Sequence, residues 1–184
     1  MTSPLRLPRP LDQRLAPAEL QSALLDGELV RLGTSFLGLD EPDSPRERAR
    51  SLAPVLGDVR AIVCDRSAAW VWGWVPPPAV ASTCVSIDAR VASPVRRRLR
   101  AREAVLDRDE VVWLDDVRVT APVRTVIDLA RHDDDDDDAT EAIEAALRSS
   151  SVTAAELNAA VHRRPGIAYV RRAQRRIDRA ISRC

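Results

Sequence analysis

The chain has 184 residues, of which 45% are hydrophobic and 30% are charged, a composition typical of soluble globular proteins. Its 28 basic and 28 acidic side chains give a formal net charge of zero, which excludes a general attraction of the whole molecule to nucleic acid. No apolar run approaches the roughly 20 residues of a membrane span, so we expect no membrane partner.

The choice of basic residues indicates the kind of genome that encodes the chain, and the cysteines indicate the cellular compartment. Every basic residue is an arginine, as expected of GC-rich bacterial coding. The three cysteines, Cys64, Cys84 and Cys184, are odd in number and widely spaced, and the N-terminal residues contain no apolar segment of a signal peptide. We therefore expect a reduced, cytoplasmic protein.

The N-terminal part begins with residues 1–16, whose prolines predict an irregular lead-in. A helix is predicted over residues 17–26, with Pro17 in its first turn and Gly27 marking its end. Two short strands, joined around Gly33, follow this helix. A helix followed by a hairpin is the pattern in which a winged helix ends.

This helix and hairpin, residues 17–41, are predicted to form only a partial winged helix. The residues before them are too few and too rich in proline to supply the two preceding helices. The helix contains Glu19 and Asp26 but no arginine. Because attraction to phosphate dominates DNA affinity, we do not expect this helix to recognise a DNA sequence.

The remainder, residues 44–184, is predicted to be one domain, and the whole chain a mixed α/β structure of the α+β class. Ser44 followed by Glu47 is a capping box that predicts the start of a helix. A buried helix is predicted over residues 66–74, where three of the four tryptophans lie and are expected to join the core. Short strands are predicted at 61–64 (or the lead into that helix), 83–87 and 111–113.

The segment 117–131 predicts a strand, a tight stop and a helix. Thr120 is the predicted N-cap with Pro122 in the first turn, and Arg124 and Asp128 are four residues apart, so we expect them to pair along the helix. No nucleophile, base or metal ligand can be assigned among these residues, which favours a structural joint. The motif comprises Thr120, Pro122, Arg124, Thr125 and Asp128.

Six consecutive aspartates occupy residues 133–138 and predict a solvated, mobile loop. Asp138 with Glu141 has the pattern of a capping box and predicts the start of the next helix. Thr153 with Glu156 repeats this pattern and predicts one further helix start.

Two arginine clusters are the candidate binding surfaces for nucleic acid or a protein partner. The first comprises Arg96, Arg97, Arg98, Arg100 and Arg102. The second lies on a helix predicted after Gly166, opposite its apolar face, and comprises Arg171, Arg172, Arg175, Arg176 and Arg179. Two alternatives remain open: the clusters are solvated surface, or residues 133–138 neutralise one of them within the fold.

Motifs of catalysis and metal binding are missing from the sequence. It contains no glycine-rich nucleotide loop and no nucleophile motif, and His132 and His162 have no partner at zinc-ligand spacing. Consecutive aspartates also lack the spaced ligands of a calcium loop. We therefore expect no enzyme activity, no cofactor and no metal site.

Four stretches, in order along the chain, resemble the AbiEi family of bacterial antitoxins in the form common in actinobacteria. They are residues 26–33, 66–73 and 117–131, and the arginine-rich end after Gly166. The T-x-P-x-R-T-x-x-D-L-A core that begins at Thr120 is the most specific of these motifs.

This resemblance implies an N-terminal winged helix that binds and represses the operon's own promoter. It also implies a larger C-terminal domain that counters a nucleotidyltransferase-like toxin encoded beside it, often without forming a stable complex. Two alternatives are a DNA-binding transcriptional regulator that uses the arginine clusters, and a non-catalytic remnant of a protein with a fused nuclease domain resembling the very-short-patch-repair endonuclease.

Overall fold

A computed structural model describes residues 15–33, 35–163 and 170–184, and of Arg98 only the backbone. The predicted lead-in lies outside the described residues except for its last two positions, and so does the predicted break at Gly166.

Within these ranges the chain forms eight α-helices and seven strands, a mixed α+β fold as predicted. The helices are α1 (Pro17–Leu25), α2 (Pro45–Leu56), α3 (Asp65–Val71), α4 (Ser93–Leu99), α5 (Pro122–His132), α6 (Asp136–Arg148), α7 (Ala154–His162) and α8 (Val170–Ile181). The strands are β1 (Leu29–Leu32), β2 (Ser35–Gly38), β3 (Ile62–Val63), β4 (Thr83–Ser86), β5 (Arg102–Ala104), β6 (Val111–Leu114) and β7 (Val117–Thr120). Among the described helices none is long and apolar enough to cross a membrane.

The strands form two sheets. The antiparallel pair β1–β2 is the predicted N-terminal hairpin, and the other five strands form a mixed sheet in the order β5-β4-β3-β7-β6. In that sheet β3 pairs in parallel with β7, and β4 with β5, while β3–β4 and β6–β7 are antiparallel. The central position of β3 and β7 brings the starts of α3 and α5 close together, because each helix follows one of these strands.

The N-terminal hairpin packs against the main domain rather than standing apart. Leu32 and Leu37 join the same core as Leu52 of α2 and Trp70 of α3. Gly33 has a left-handed φ of +60°, and a Cβ at this position would lie 2.6 Å from the Trp70 ring. The close approach therefore requires glycine, and it seats the hairpin on the tryptophan.

Two helix starts follow their predicted capping boxes. The Ser44 side chain accepts a hydrogen bond from the Glu47 backbone N–H at 3.3 Å, and α2 begins at the next residue. At the start of α7 both bonds of the capping box form, since Thr153 and Glu156 each accept a hydrogen bond from the other's backbone N–H. These two predictions are confirmed.

Two other predicted caps are wrong. Thr120 is the last residue of β7, and the N-cap of α5 is Ala121, whose side chain makes no capping bond. Helix α6 begins at Asp136 with Asp135 as its N-cap, so Asp138 already lies inside the helix. In both cases the polar side chain binds a different partner: the Thr120 hydroxyl lies against that of Thr125, and the Asp138 carboxylate binds Arg66.

The core has a part beneath the sheet and a part among the helices. Val63, Val117 and Val119 of the sheet pack with α2 and α3, while Ile143 and Ile177 lie in a second cluster formed mainly by α5, α6, α7 and α8. Each such buried side chain contributes about 1.5–3 kcal/mol relative to exposure.

The tryptophans connect these two parts, which confirms their predicted place in the core. Trp70 belongs to the sheet-side cluster and Trp74 to the helical one, and both are buried. Trp72 is half-buried, packs against both clusters and donates its Nε1–H to the Thr120 carbonyl at 2.9 Å.

Candidate functional site: an arginine–aspartate network and the exposed arginines

Strand β7 is joined to helix α5 by two buried threonines. The hydroxyl oxygens of Thr120 and Thr125 lie 2.7 Å apart, and the Thr125 hydroxyl also lies 2.9 Å from the Thr120 carbonyl oxygen. Both side chains are fully buried, so the Thr120 hydroxyl bonds within the joint instead of capping the helix. Pro122 occupies the first turn of α5 as predicted.

The predicted pair of Arg124 and Asp128 is confirmed and is buried. Arg124 donates from Nε to Asp128 Oδ1 at 3.0 Å and from Nη1 to Glu110 Oε2 at 2.8 Å and to the Val105 carbonyl at 2.9 Å. Burial lowers the pKa of Arg124, but Asp128 and Glu110 outweigh it, so the net pKa is raised and the guanidinium stays charged.

Asp128 faces a second guanidinium, that of Arg102 on β5. Its Oδ2 lies 2.9 Å from Arg102 Nη2, and Arg102 also binds Asp65 through Nε and Nη2 at 3.1 and 3.0 Å. The first arginine cluster was predicted to be a binding surface. For Arg102 this is wrong, because its guanidinium pairs with two carboxylates inside the fold, those of Asp65 and Asp128. Desolvation lowers the pKa of Arg102, but these carboxylates raise it above the ordinary value.

Asp65 has a left-handed backbone with φ of +50°, which is uncommon for a residue other than glycine. Burial raises the pKa of Asp65, but the bonds from Arg102 outweigh it and the net pKa is lowered. The buried Cys64 thiol donates to Asp65 Oδ2 at 3.1 Å, and burial followed by the neighbouring Cys84 raises the pKa of Cys64 well above its ordinary value. Cys64 is therefore a protonated thiol rather than a reactive thiolate.

Charges of alternating sign thus run from α3 through β5 and α5 to the turn before β6. They are Asp65, Arg102, Asp128, Arg124 and Glu110. Every guanidinium in this network has carboxylate partners, so the arrangement fixes elements relative to one another and presents no unpaired charge to a substrate. Among the described residues no group of three or more His, Cys, Asp and Glu side chains is arranged to hold a metal ion.

The rest of the first arginine cluster lies on and just after α4. Arg96 pairs with Glu103 of β5, whereas Arg97 and Arg100 are exposed. The side chain of Arg98 lies outside the described part of the structure. Of this cluster, Arg97 and Arg100 therefore keep the surface position that the sequence predicts.

The second cluster is largely bound to the aspartate run. Arg176 is 3% exposed and donates from Nη1 to the carbonyls of Leu129, Ala130 and Asp133 at 3.2, 3.3 and 3.0 Å. Its Nε donates to Asp136 Oδ1 at 2.7 Å. Arg176 thus satisfies the last carbonyls of α5 and was wrongly predicted as a surface residue.

Two more arginines of α8 bind the same run. Arg172 donates to the Asp133 carbonyl at 2.7 Å, and Arg179 lies 2.8 Å from Asp137 Oδ1. Arg171 and Arg175 are exposed. The alternative that the aspartates neutralise an arginine cluster within the fold is therefore confirmed for three of its five residues.

The aspartate run is also not the predicted loop, since Asp136 and the two residues after it form the first turn of α6. Arg66 of α3 binds Asp133 Oδ2 and Asp138 Oδ2 at 3.0 Å each. The run therefore connects α3, α6 and α8, and Asp138 serves as a ligand of Arg66 rather than as a cap.

The sequence interpretation missed Asp65, Glu110 and Arg66. Asp65 lies 37 positions from Arg102, Arg66 lies 67 positions from Asp133, and Glu110 lies 14 positions from Arg124.

The fold and the network define a mixed α+β domain whose elements are joined by internal arginine–carboxylate pairs. The model of the AbiEi antitoxin C-terminal domain matches residues 61–178, which is well over half of the chain. The chain therefore belongs to the AbiEi antitoxin family and has an antitoxin role in a toxin–antitoxin system. A search of the curated proteins finds no match to this chain.

Proposed function

We propose that this chain neutralises a nucleotidyltransferase-type toxin encoded by an adjacent gene. The observation that carries the proposal is the family match over residues 61–178, which contains the five-stranded sheet and the whole charge network. The resemblance of the 117–131 motif to AbiEi antitoxins supports this toxin class. The buried free thiols Cys64 and Cys84 support action in the reducing cytoplasm.

We assign the contact with the toxin to the exposed arginines of the two clusters that do not bind the aspartate run. These are Arg97, Arg100, Arg171 and Arg175. Arginine is enriched at protein interfaces because its planar guanidinium forms paired hydrogen bonds with carboxylates. The arginines bound to the aspartate run are not assigned to the contact with the toxin, since releasing them would remove the ion pairs between α8 and α6.

The test is co-expression with the adjacent toxin gene. The wild-type chain is expected to restore growth, whereas Arg97→Glu and the double variant Arg171→Glu/Arg175→Glu are expected to weaken the rescue at equal protein level. Arg108→Glu is the matched control, because Arg108 is exposed and lies outside both clusters. Persistent growth arrest with the wild-type chain would contradict the proposal.

A second candidate function is binding of the operon's promoter. It is supported by Arg171 and Arg175, which are exposed and four residues apart on α8, so that both face the same side. We infer a scaffold role for the acidic helix α1 and the hairpin β1–β2, which the sequence predicts to be a partial winged helix, since the hairpin packs on Trp70.

Promoter binding is tested by electrophoretic mobility shift with promoter DNA at two salt concentrations. With four arginine–phosphate contacts, affinity is expected to fall roughly 100-fold between about 50 and about 200 mM salt. The variant Arg171→Glu/Arg175→Glu is expected to reduce this salt dependence. If promoter DNA is not shifted even at the lower salt concentration, the proposal of promoter binding is contradicted.

A further inference from the structure

The exposed side of helix α8 carries a regular row of arginines. Arg171, Arg175 and Arg179 lie four residues apart, and all three are exposed. Four residues rise by about 6 Å along a helix, so these guanidinium groups leave α8 from neighbouring turns of one side. Each step of four residues also rotates the row by about 40° around the helix axis. At Arg179 the row meets α6, since Arg179 Nη2 lies 2.8 Å from Asp137 Oδ1.

The arginines of this row differ in what they bind. Within the described ranges Arg171 and Arg175 form no ion pair with an acidic side chain. Arg179 is held by Asp137, in a pair whose side chains are 44% and 73% exposed. An ion pair with this exposure adds little to stability, because water screens the two charges. Arg179 can therefore exchange Asp137 for another anion while α8 stays in place.

The other arginines of α8 that bind the aspartate run are held more firmly. Arg176 is 3% exposed and donates to three carbonyls at the end of α5 and in the turn after it. Arg172 donates to the Asp133 carbonyl at 2.7 Å. Releasing either one would take a hydrogen bond from backbone carbonyls, which is costly where they are buried. These two arginines therefore hold α8 on the fold, and the pair of Arg179 with Asp137 is the one that an external anion can replace.

The surface around the row selects the partner. The apolar face of α8, which includes Ala173, Ile177 and Ala180, is buried in the helical core. None of the exposed large apolar side chains of the described chain lies on α8, so this side offers no apolar anchor for a protein interface or a membrane surface. Evenly spaced guanidinium groups suit the phosphates of a nucleic acid. The major groove of B-form DNA also admits a helix, whereas that of A-form RNA is too narrow.

We propose that Arg171, Arg175 and Arg179 bind the phosphate backbone of duplex DNA, and that Asp137 competes with phosphate for Arg179. The inference rests on the second candidate function, promoter binding, and adds to that site a third contact and an internal competitor. In the free chain Asp137 occupies Arg179, so DNA gains this contact only by displacing the carboxylate. The aspartate run therefore keeps the affinity for DNA below the value that the row of arginines alone would give.

The experiment compares Asp137→Asn with Asp134→Asn in fluorescence anisotropy titrations of a labelled promoter duplex. Both substitutions remove one negative charge from the aspartate run, but the exposed Asp134 side chain pairs with no arginine in the described part of the chain. Asp137→Asn is expected to bind about three- to tenfold more tightly than Asp134→Asn at about 50 mM salt, because Arg179 is freed. The plot of log affinity against log salt concentration should steepen by about 0.9 for the added phosphate contact.

A double-mutant cycle assigns the gain to Arg179. In the Arg179→Gln background, Asp137→Asn is expected to bind DNA no more tightly than Asp134→Asn does. Because phosphate contacts carry no base information, a duplex of scrambled sequence should show the same gain as the promoter duplex. Circular dichroism spectra of Asp137→Asn and Asp134→Asn should match that of the wild type, which separates the effect on binding from an effect on folding.

Three results would overturn the proposal. They are equal affinity and equal salt dependence of Asp137→Asn and Asp134→Asn, a gain that persists in the Arg179→Gln background, and tighter binding to an RNA duplex than to the DNA duplex.

The wild-type chain separates this inference from promoter binding. If the wild type binds promoter DNA but Asp137→Asn brings no gain, promoter binding stands and the competition by Asp137 is contradicted. If Asp137→Asn binds DNA at about 50 mM salt and the wild type does not, promoter binding by the free chain is contradicted and the competition stands. If no variant binds any duplex, both proposals are contradicted.

Discussion

Asp128 is fully buried between the guanidinium groups of Arg124 and Arg102. Asp128→Ala would remove the carboxylate that the two arginines share, although Arg124 keeps Glu110 and Arg102 keeps Asp65. Because hydrogen bonds to a buried charge are lost, the free energy of unfolding is expected to fall by about 1–3 kcal/mol. Urea unfolding followed by circular dichroism measures this loss.

The matched control is Asp116→Ala, since Asp116 is an exposed aspartate in the β6–β7 turn. It is expected to change stability by less than about 0.5 kcal/mol. A loss of under about 1 kcal/mol in Asp128→Ala would mean that the network adds little to stability. Unchanged stability with lost growth rescue would assign Asp128 a functional role instead.

Gly33 and Gly27 form a natural pair for separating backbone strain from steric clash. Both have a left-handed φ, of +60° and +73°, but a Cβ at Gly27 meets no atom within 4 Å, whereas one at Gly33 lies 2.6 Å from the Trp70 ring. Gly27→Ala is expected to cost about 1 kcal/mol and Gly33→Ala about 1–3 kcal/mol more. Equal thermal unfolding of the two variants would show that the hairpin moves away from Trp70 at no cost.

At the scale of helices and strands, the sequence predicted where helices begin but did not predict which residues distant in sequence pair with one another. The caps at Ser44 and Thr153 need only residues three apart, so the sequence predicted them correctly. The amphipathic α8 was also predicted, but the partners of Arg176 are carbonyls more than 40 residues away. A pattern along one helix cannot reveal which of its arginines meets such groups.

The contact between α6 and α8 should weaken in acid through Asp136. Its pKa is lowered by the hydrogen bond and the charge of Arg176, so the folded state favours the carboxylate. The stabilisation is therefore complete above the ordinary Asp pKa of about 4 and is lost as the pH falls through the lower folded pKa.

Asp136→Asn removes this contribution at all pH values. The variant is expected to melt at a lower temperature than the wild type at neutral pH, and the difference is expected to shrink below about pH 4. Asp134→Asn, an exposed neighbour in the same run, is the control and should follow the wild type. A difference that stays constant down to about pH 2 would show that the pair does not titrate in this way.

For the whole molecule, many of the 28 arginines pair with acidic residues of the same chain. The sequence predicted the family, the fold class and the core tryptophans, because motif order and apolar spacing carry that information. It overestimated the basic surface, because the run at 133–138 and Asp65 lie far in sequence from the arginines they neutralise. Of the two predicted clusters, four arginines are exposed and do not bind the aspartate run, and they lie on or just after α4 and on α8.

The sheet-side and helical cores are expected to unfold together because Trp72 packs against both. Fluorescence, to which Trp70 and Trp74 contribute from the two cores, should therefore change at the same urea concentration as helical circular dichroism.

Trp72→Ala is expected to lower the free energy of unfolding by about 2–4 kcal/mol and to separate the fluorescence and circular dichroism transitions. Trp72→Phe keeps an aromatic ring but loses the bond to the Thr120 carbonyl, so it should cost about 1 kcal/mol and leave the transitions coincident. Two separate transitions in the wild-type chain would mean that the cores are independent and that the charge network between Arg102 and Asp128 does not couple them.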